Sequence, residues 1–481
     1  MALEIYNTLS RKKELFTPVR EGQVGLYICG PTVYGDAHVG HAKAYIMGDI
    51  VSRYLRFAGF QVTYVQNITD VGHMTDNDDV QGEDKLLKQS RKEKKHPMEI
   101  AEYYTRRYYE DMDALNILRP DIAPRATGHI VEQIELVKEL LAKGFAYEVD
   151  GNVYFDVSKD PEYGKLSGRK TEDQASSGRV EVRSDKRSPN DFALWKKAEG
   201  GHILRWPSPW GDGFPGWHLE CSAMAMKYLG ETVDIHGGGL ENQFPHHECE
   251  IAQSESATGK PFARYWMHNN MVTTGGVKMG KSLGNSAYLR DLYQQYDPLS
   301  LRFTILQSHY RGTTEFVPDA ITAARTGYEK LLGAYTRLLT AIGNDATLPA
   351  LDRSHSIAQE FIEAMNDDFN TPKALAALYK LATETNTVLA AGTQGTAELP
   401  VLASLWTALA GDVLGILPKP GVAQNSDAGS AMDKVMPLVI RWRKEARERR
   451  DFAMSDAIRK ELEAAGIILE DSAAGTTWRL K

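Results

Sequence analysis

Cysteine is scarce: Cys29, Cys221 and Cys249 are the only three in 481 residues. Three thiols cannot make a disulfide framework, and none of them forms a Cys-x-x-Cys metal clip. A reducing cytoplasm is therefore the expected compartment. Long apolar runs are missing as well. No stretch approaches the roughly 18 apolar residues of a membrane span, so no membrane partner is expected. The first residues, Met1 to Tyr6, show no basic patch followed by an apolar core, and no secretory signal is expected. Excess basic charge is also lacking, with a net charge of -8 and a pI near 6.0. That balance counts mildly against a nucleic-acid partner, but a local basic surface decides phosphate contact, not the total. No internal repeat and no self-complementary apolar surface is legible. Hydrophobic content of 42% and charged content of 25% are ordinary for a globular protein. A chain this long is expected to fold as about three or four units.

The most informative segment is Val33-Tyr34-Gly35-Asp36-Ala37-His38-Val39-Gly40-His41. It follows a strand-like Val24–Ile28 and the turn Cys29-Gly30-Pro31, and it opens a helical pattern from about His38 to Phe57 that Gly59 stops. A second strand-like run, Gln61–Val65, comes next. Free amides and the positive dipole end at a helix N-terminus favour phosphate. Two histidines three apart share a helix face, and Gly40 between them lets a flat base approach the backbone. Far downstream, Gly275-Gly276-Val277-Lys278-Met279-Gly280-Lys281-Ser282 sets two lysines three apart among glycines. That is the composition of a mobile loop that brings two ammonium groups onto a triphosphate.

His-Val-Gly-His and Lys-Met-Gly-Lys-Ser, in this order, resemble the two signatures of the class I aminoacyl-tRNA synthetases. Within that class the chain resembles the cysteinyl-tRNA synthetase family. The resemblance rests on Tyr27–Tyr34, Asn67-Ile68-Thr69-Asp70, Pro215–Ala223, Asp234–Gly239, Phe244–Gln253 and Asp367–Pro372, and it runs from Asn7 to Arg479. It departs from the common pattern at Gly280, at Val71–Asp76 and at Glu241, none of which is a proposed ligand or catalytic cation.

The implied fold is α/β: a doubly wound parallel-sheet (Rossmann-type) catalytic domain split by an insertion, then an all-α bundle and a small C-terminal domain. Residues 1–117 and 210–260 are read as the catalytic domain, 118–209 as the connective insertion and 261–322 as the lysine-loop domain. Residues 323–425 are read as the bundle and 433–481 as a tRNA anticodon-binding domain. Helices are expected at about 97–115, 128–143, 299–306, 354–366 and 372–392, and a strand at 151–157. The lysine-rich Glu83–Met98 stretch reads as a solvated connection, and Pro418–Met432 as a linker. Arg441 to Arg450 holds six cations in ten residues. This run reads equally as an RNA-facing helix and as a solvated face with internal Glu–Arg pairs.

The residues alone leave the metal ligands open. Cys29, Cys221, His246 and Glu250 are all accepted zinc donors, but His247, His236 and Cys249 compete equally well. The family resemblance selects Cys29, Cys221, His246 and Glu250, implying one zinc ion per chain that reads the substrate thiolate. It also implies ATP, taken with Mg2+, bound by Thr32, His38, Gly40, His41, Gly238 and Lys281. His38, His41, Lys278 and Lys281 are the implied catalytic residues. Trp217 and His236 are expected to wall the amino-acid pocket. The implied reaction activates L-cysteine to cysteinyl-adenylate and transfers it to tRNA(Cys), by a monomer. Two alternatives compete. One is a cysteine ligase acting on a small amine, which would lack much of the C-terminal region. The other is a non-catalytic tRNA-binding paralogue, which would show a damaged signature.

Overall fold

The structure, a computed structural model, describes residues 2–71, 85–169, 186–200, 202–279, 287–343, 346–391, 398–418, 428–472 and 475–480. The chain divides into two compact units, Met1–Leu417 and Pro418–Lys481.

Four strands form the parallel sheet of the first unit, in the spatial order Ala263–Asn269, Val233–Gly239, Gln23–Ile28, Gln61–Gln66. The parity of the Gln23–Ile28 strand decides what each face buries. Val24, Leu26 and Ile28 enter the core under the helix Val39–Phe57. Tyr27 and Cys29 point to the opposite face, among Cys221, Met224 and Ile251 of the helices Trp217–Leu229 and His246–Thr258. Helices thus cover both faces, as a parallel sheet requires. The strand order reverses between Gln23–Ile28 and Val233–Gly239. Their carboxyl ends, Cys29-Gly30 and Gly237–Gly239, flank the crevice where such sheets bind ligands. The fourth strand, Ala263–Asn269, lies beyond residue 260, where the sequence placed the end of this domain.

Between the two halves lies an antiparallel four-stranded meander of Ala146–Val149, Asn152–Phe155, Phe192–Lys197 and Gly213–Pro215. The expected strand at 151–157 is thus the second arm of a hairpin. The expected helix at 128–143 is observed as Ile130–Ala142 after a 3-10 turn, Ala126–His129. One expectation is corrected. Residues 85–93 form a helix rather than a solvated connection, because Leu86 and Leu87 bury themselves amid the lysines.

Three short strands, Val272–Thr274, Val277–Lys278 and Thr314–Glu315, form the sheet that carries Lys278. The helix Pro298–Leu306 follows, capped by the Asp297 carboxylate, which accepts from Ser300 N at 3.0 Å. The bundle packs Pro318–Ile342, Ser356–Asn366, Thr371–Ala390 and Glu398–Leu405 around Tyr328, Leu331, Leu338, Phe361, Leu378 and Trp406.

A charge cluster locks this bundle to the sheet helix. Asp49 is fully buried, and its two carboxylate oxygens accept from Arg53 Nε at 2.9 Å and from Arg302 Nη2 at 2.5 Å. Arg302 also donates to the carbonyls of Leu414 and Leu115, at 2.8 and 3.1 Å. Removing Arg302 leaves Asp49 to Arg53 alone and the buried carbonyls of Leu414 and Leu115 without this donor. Arg302→Met is accordingly expected to lower unfolding free energy by about 2–4 kcal/mol. A urea midpoint equal to that of the parent would refute this.

The second unit pairs the helices Ala428–Glu448 and Phe452–Ala464 with a hairpin, Ile467–Ser472 and Gly475–Leu480. Met436, Ile467 and Leu469 form its core. The first helix begins at Ala428, so the linker read at 418–432 is shorter than expected. Arg443 is buried, whereas Arg441 and Lys444 are exposed.

Candidate metal and nucleotide site

Four side chains from three elements converge behind the carboxyl end of the Gln23–Ile28 strand. Cys29 leaves that strand on its Tyr27 face, and Cys221 comes from the middle of Trp217–Leu229. His246 and Glu250, one turn apart on His246–Thr258, point the same way. One ligand atom from each lies within 4.8 Å of every other, and all four residues are buried. The two sulfurs are 4.0 Å apart, Cys29 Sγ is 3.7 Å from Glu250 Oε1, and His246 Nε2 is 2.8 Å from that same oxygen. A second set, Cys29, His236, His247 and Glu250, meets the same distance condition. It shares Cys29 and Glu250, with His247 Nε2 3.2 Å from Cys29 Sγ and His236 Nε2 2.5 Å from Glu250 Oε2. Cys249 joins neither set. It turns to the other side of its helix, 3.5 Å from the Tyr163 hydroxyl.

The donor chemistry fits a thiophilic divalent cation. Two thiols, an imidazole and a carboxylate in one dry pocket suit tetrahedral zinc. The electrostatics run the same way. Burial pushes the Glu250 carboxyl up, but His236 and His246 outweigh it and hold it well below the usual range. Burial lowers His246, yet Glu250 and Cys221 bring it up to about 10. The hydrogen bond from Cys29 lowers the Cys221 thiol against burial, whereas burial raises that of Cys29. The proton held between His246 and Glu250 is what a bound cation would displace. His247 behaves differently: burial keeps it neutral, and its Nδ1 lies 2.8 Å from His268 Nε2.

The surrounding residues hold this arrangement. His218 Nδ1 meets His246 Nδ1 at 2.9 Å, which leaves His246 Nε2 for the quartet. Asn67 Oδ1 accepts from Gly30 N at 2.8 Å and lies 3.7 Å from Cys221 Sγ. Gly30 is required there, because a Cβ would sit 1.6 Å from the Asn67 carbonyl oxygen. Trp217 packs on His246 with ring centroids 4.4 Å apart, and His236 stacks on Trp266 at 4.6 Å. The Nδ1 of His236 is buried and has no hydrogen-bond partner among the described residues.

On the other side of the sheet's edge, His38 caps the helix Val39–Phe57. Its Nδ1 accepts from Gly40 N at 3.1 Å, His41 Nδ1 accepts from His38 N at 3.2 Å, and the rings stack at 3.9 Å. Thr32 bridges Thr69 beside them. The far flank of the lysine loop reaches this helix end. Ala287 O accepts from Val39 N at 3.1 Å, and Leu289 N donates to Ala37 O at 3.0 Å. On the near flank, Met279 Sδ lies 3.4 Å from Ala287 N. Gly280 and Lys281 lie outside the described residues.

With this geometry in place, comparison with known proteins decides the family. The family model for the tRNA synthetases class I (C) catalytic domain matches residues 15–326, and the DALR domain matches 360–418. The cysteine–tRNA ligase of Chlorobium chlorochromatii (strain CaD3) is 55% identical over 484 residues, covering 100% of both chains. The chain belongs to the cysteine–tRNA ligase family. Relatives in this family include the cysteine–tRNA ligase of Deinococcus radiodurans, 51% identical over 99% of this chain and 96% of its own length. That of Thermus thermophilus is 48% identical over 100% of both. The fold extends further. A Mycobacterium tuberculosis methionyl-tRNA synthetase in complex with methionyl-adenylate superposes with a TM-score of 0.56 at 15% identity, covering 82% of this chain and 91% of that one.

Sequence reasoning missed His218 and Asn67, which hold the donors rather than supply them. Asn67 sits in a quoted motif and His218 follows Trp217, but only the fold reveals what they touch.

Proposed function

We infer that the protein ligates L-cysteine to tRNA(Cys). The cysteine carboxylate attacks the α-phosphate of ATP, pyrophosphate leaves, and a terminal ribose hydroxyl of the tRNA then takes the cysteinyl group, releasing AMP. The observation that carries this reading is the convergence at one end of the sheet of a buried, two-thiol donor quartet and a His-x-Gly-His helix cap. The match to cysteine–tRNA ligases over the whole chain, C-terminal unit included, disfavours both the small-amine ligase and the non-catalytic paralogue.

Cys29, Cys221, His246 and Glu250 would hold zinc, the set that uses both thiols. When bound, the ion supplies a Lewis acid that favours thiolate over a neutral hydroxyl. Trp217 and His236 wall the cysteine pocket. Thr32, Gly40 and Gly238 lie where backbone meets the nucleotide, and His38 and His41 face its phosphates. Lys278 and Lys281 stabilise the charge that builds on pyrophosphate, with ATP arriving as its Mg2+ complex. Little covalent help is needed; positioning supplies much of the rate. A cytoplasmic monomer completes the proposal. Among the described residues no helix is long and apolar enough to cross a membrane.

The C-terminal unit, with Arg441 and Lys444 exposed on its first helix, is assigned to tRNA. A chain ending at Leu417 is expected to retain cysteine-dependent pyrophosphate exchange while charging tRNA at least about tenfold more slowly, with a flattened salt dependence. Equal charging by the two forms would remove the unit from tRNA recognition.

A further inference from the structure

Lys43 lies two residues beyond His41 on the same helix and is only 2% exposed. A lysine is almost never buried without a partner. Its ammonium forms no ion pair among the described residues at bonding distance. Instead it donates to two backbone carbonyls, Met271 O at 3.2 Å and Gly312 O at 2.6 Å.

Those carbonyls mark the root of the three-stranded sheet that presents Lys278. Met271 immediately precedes the Val272–Thr274 strand, which pairs antiparallel with Val277–Lys278 and parallel with Thr314–Glu315. Met271 O also accepts from Thr314 N at 3.2 Å. The Gly312 side is fixed in turn. Arg311 binds the buried Asp368 carboxylate, Nε to Oδ2 at 2.7 Å, and lies over the Tyr6 ring at 4.2 Å. Burial lowers the Lys43 ammonium to about 8 against the pull of Glu241, so its site has a desolvation cost and is not a neutral resting place.

We propose that Lys43 is a positioning residue for adenylate formation, pinning the His38–His41 helix to the base of the strand pair that carries Lys278. The proposal rests on the functional reading above. Adenylate formation needs the imidazoles and the loop ammonium groups on one triphosphate at the same time. The imidazoles sit at a helix end and Lys278 on the three-stranded sheet, and Lys43 reaches from that helix to the root of that sheet. Loss of the ammonium leaves Gly312 O without this donor and Met271 O to Thr314 N alone, and lets the loop base drift; a displacement of about 1 Å can cost about a hundredfold in rate.

The test compares the full-length parent with Lys43→Met and Lys43→Arg in ATP–pyrophosphate exchange with cysteine. Unfolding midpoints and zinc content are measured alongside. Lys43→Met is expected to lower kcat about a hundredfold per folded molecule, with KM for cysteine and zinc content unchanged. Lys43→Arg, which still donates to carbonyls, is expected to restore most of the rate. A purely structural role would lower the midpoint and leave kcat per folded molecule intact, and that result overturns the proposal. If Lys43→Met does not fold, Lys43→Gln carries the test by the same criterion. A parent without exchange activity would instead overturn the functional reading, and the proposal with it.

Discussion

Cys221→Ser is expected to strip the chain of zinc and, with it, of its preference for cysteine over serine. Cysteine and serine differ by one atom, and apolar contacts separate such isosteres by only about 1–3 kcal/mol. Reading sulfur by coordination avoids that ceiling, because thiolate binds zinc well and a neutral hydroxyl does not. Cys221 is central to this: it is buried, 4.0 Å from Cys29 Sγ, and belongs only to the two-thiol quartet. His246→Ala is expected to lose metal likewise. Cys249→Ala is expected to keep it, since that thiol faces Tyr163. His247 gives the sharper control. Retention of zinc by His247→Ala is predicted; loss there, with retention in His246→Ala and Cys221→Ser, would transfer the site to the quartet of Cys29, His236, His247 and Glu250.

Lys281→Ala is expected to slow cysteine-dependent pyrophosphate exchange by at least about a hundredfold, while folding and tRNA binding are unchanged. On the proposed function the lost group is the cation that meets charge developing as pyrophosphate departs, so the effect is expected on kcat. Before the loop, Lys278 stands on the Val277–Lys278 strand, and after it Ala287 O accepts from Val39 N of the helix cap. Gly280→Ser is expected to be tolerated, because it returns the residue common in the family's loop. Exchange by Lys281→Ala at the parent rate would remove this lysine from the mechanism.

The strand, turn and His38 helix cap were legible because their pattern is local. Strand, turn, cap and helix follow one another within residues 23–57, and each leaves its own pattern in the sequence. The candidate quartet of Cys29, Cys221, His246 and Glu250 was singled out only through resemblance. The helix His246–Thr258 is buried from His246 through Ser254, so no hydrophobic periodicity tells His246 from His247. Only the fold, by placing Cys249 toward Tyr163, removes one competitor. Elsewhere, polarity hid structure. The helix Lys85–Glu93 reads as solvent-facing because two buried leucines are outnumbered by charged neighbours. Arg302, within an apolar helix, gives no local sign that it bonds Asp49. Such long-range pairs depend on which elements meet, and composition does not report that.

On the proposed function a metal quartet beside an ATP site makes this chain select cysteine. The most direct measurement is ATP–pyrophosphate exchange by the full-length chain with cysteine and with serine, before and after chelation and zinc repletion. The account predicts exchange with cysteine and almost none with serine, loss of the cysteine-driven exchange on chelation, and its return with zinc. Exchange that ignores chelation, or that serine supports as well as cysteine, would contradict it.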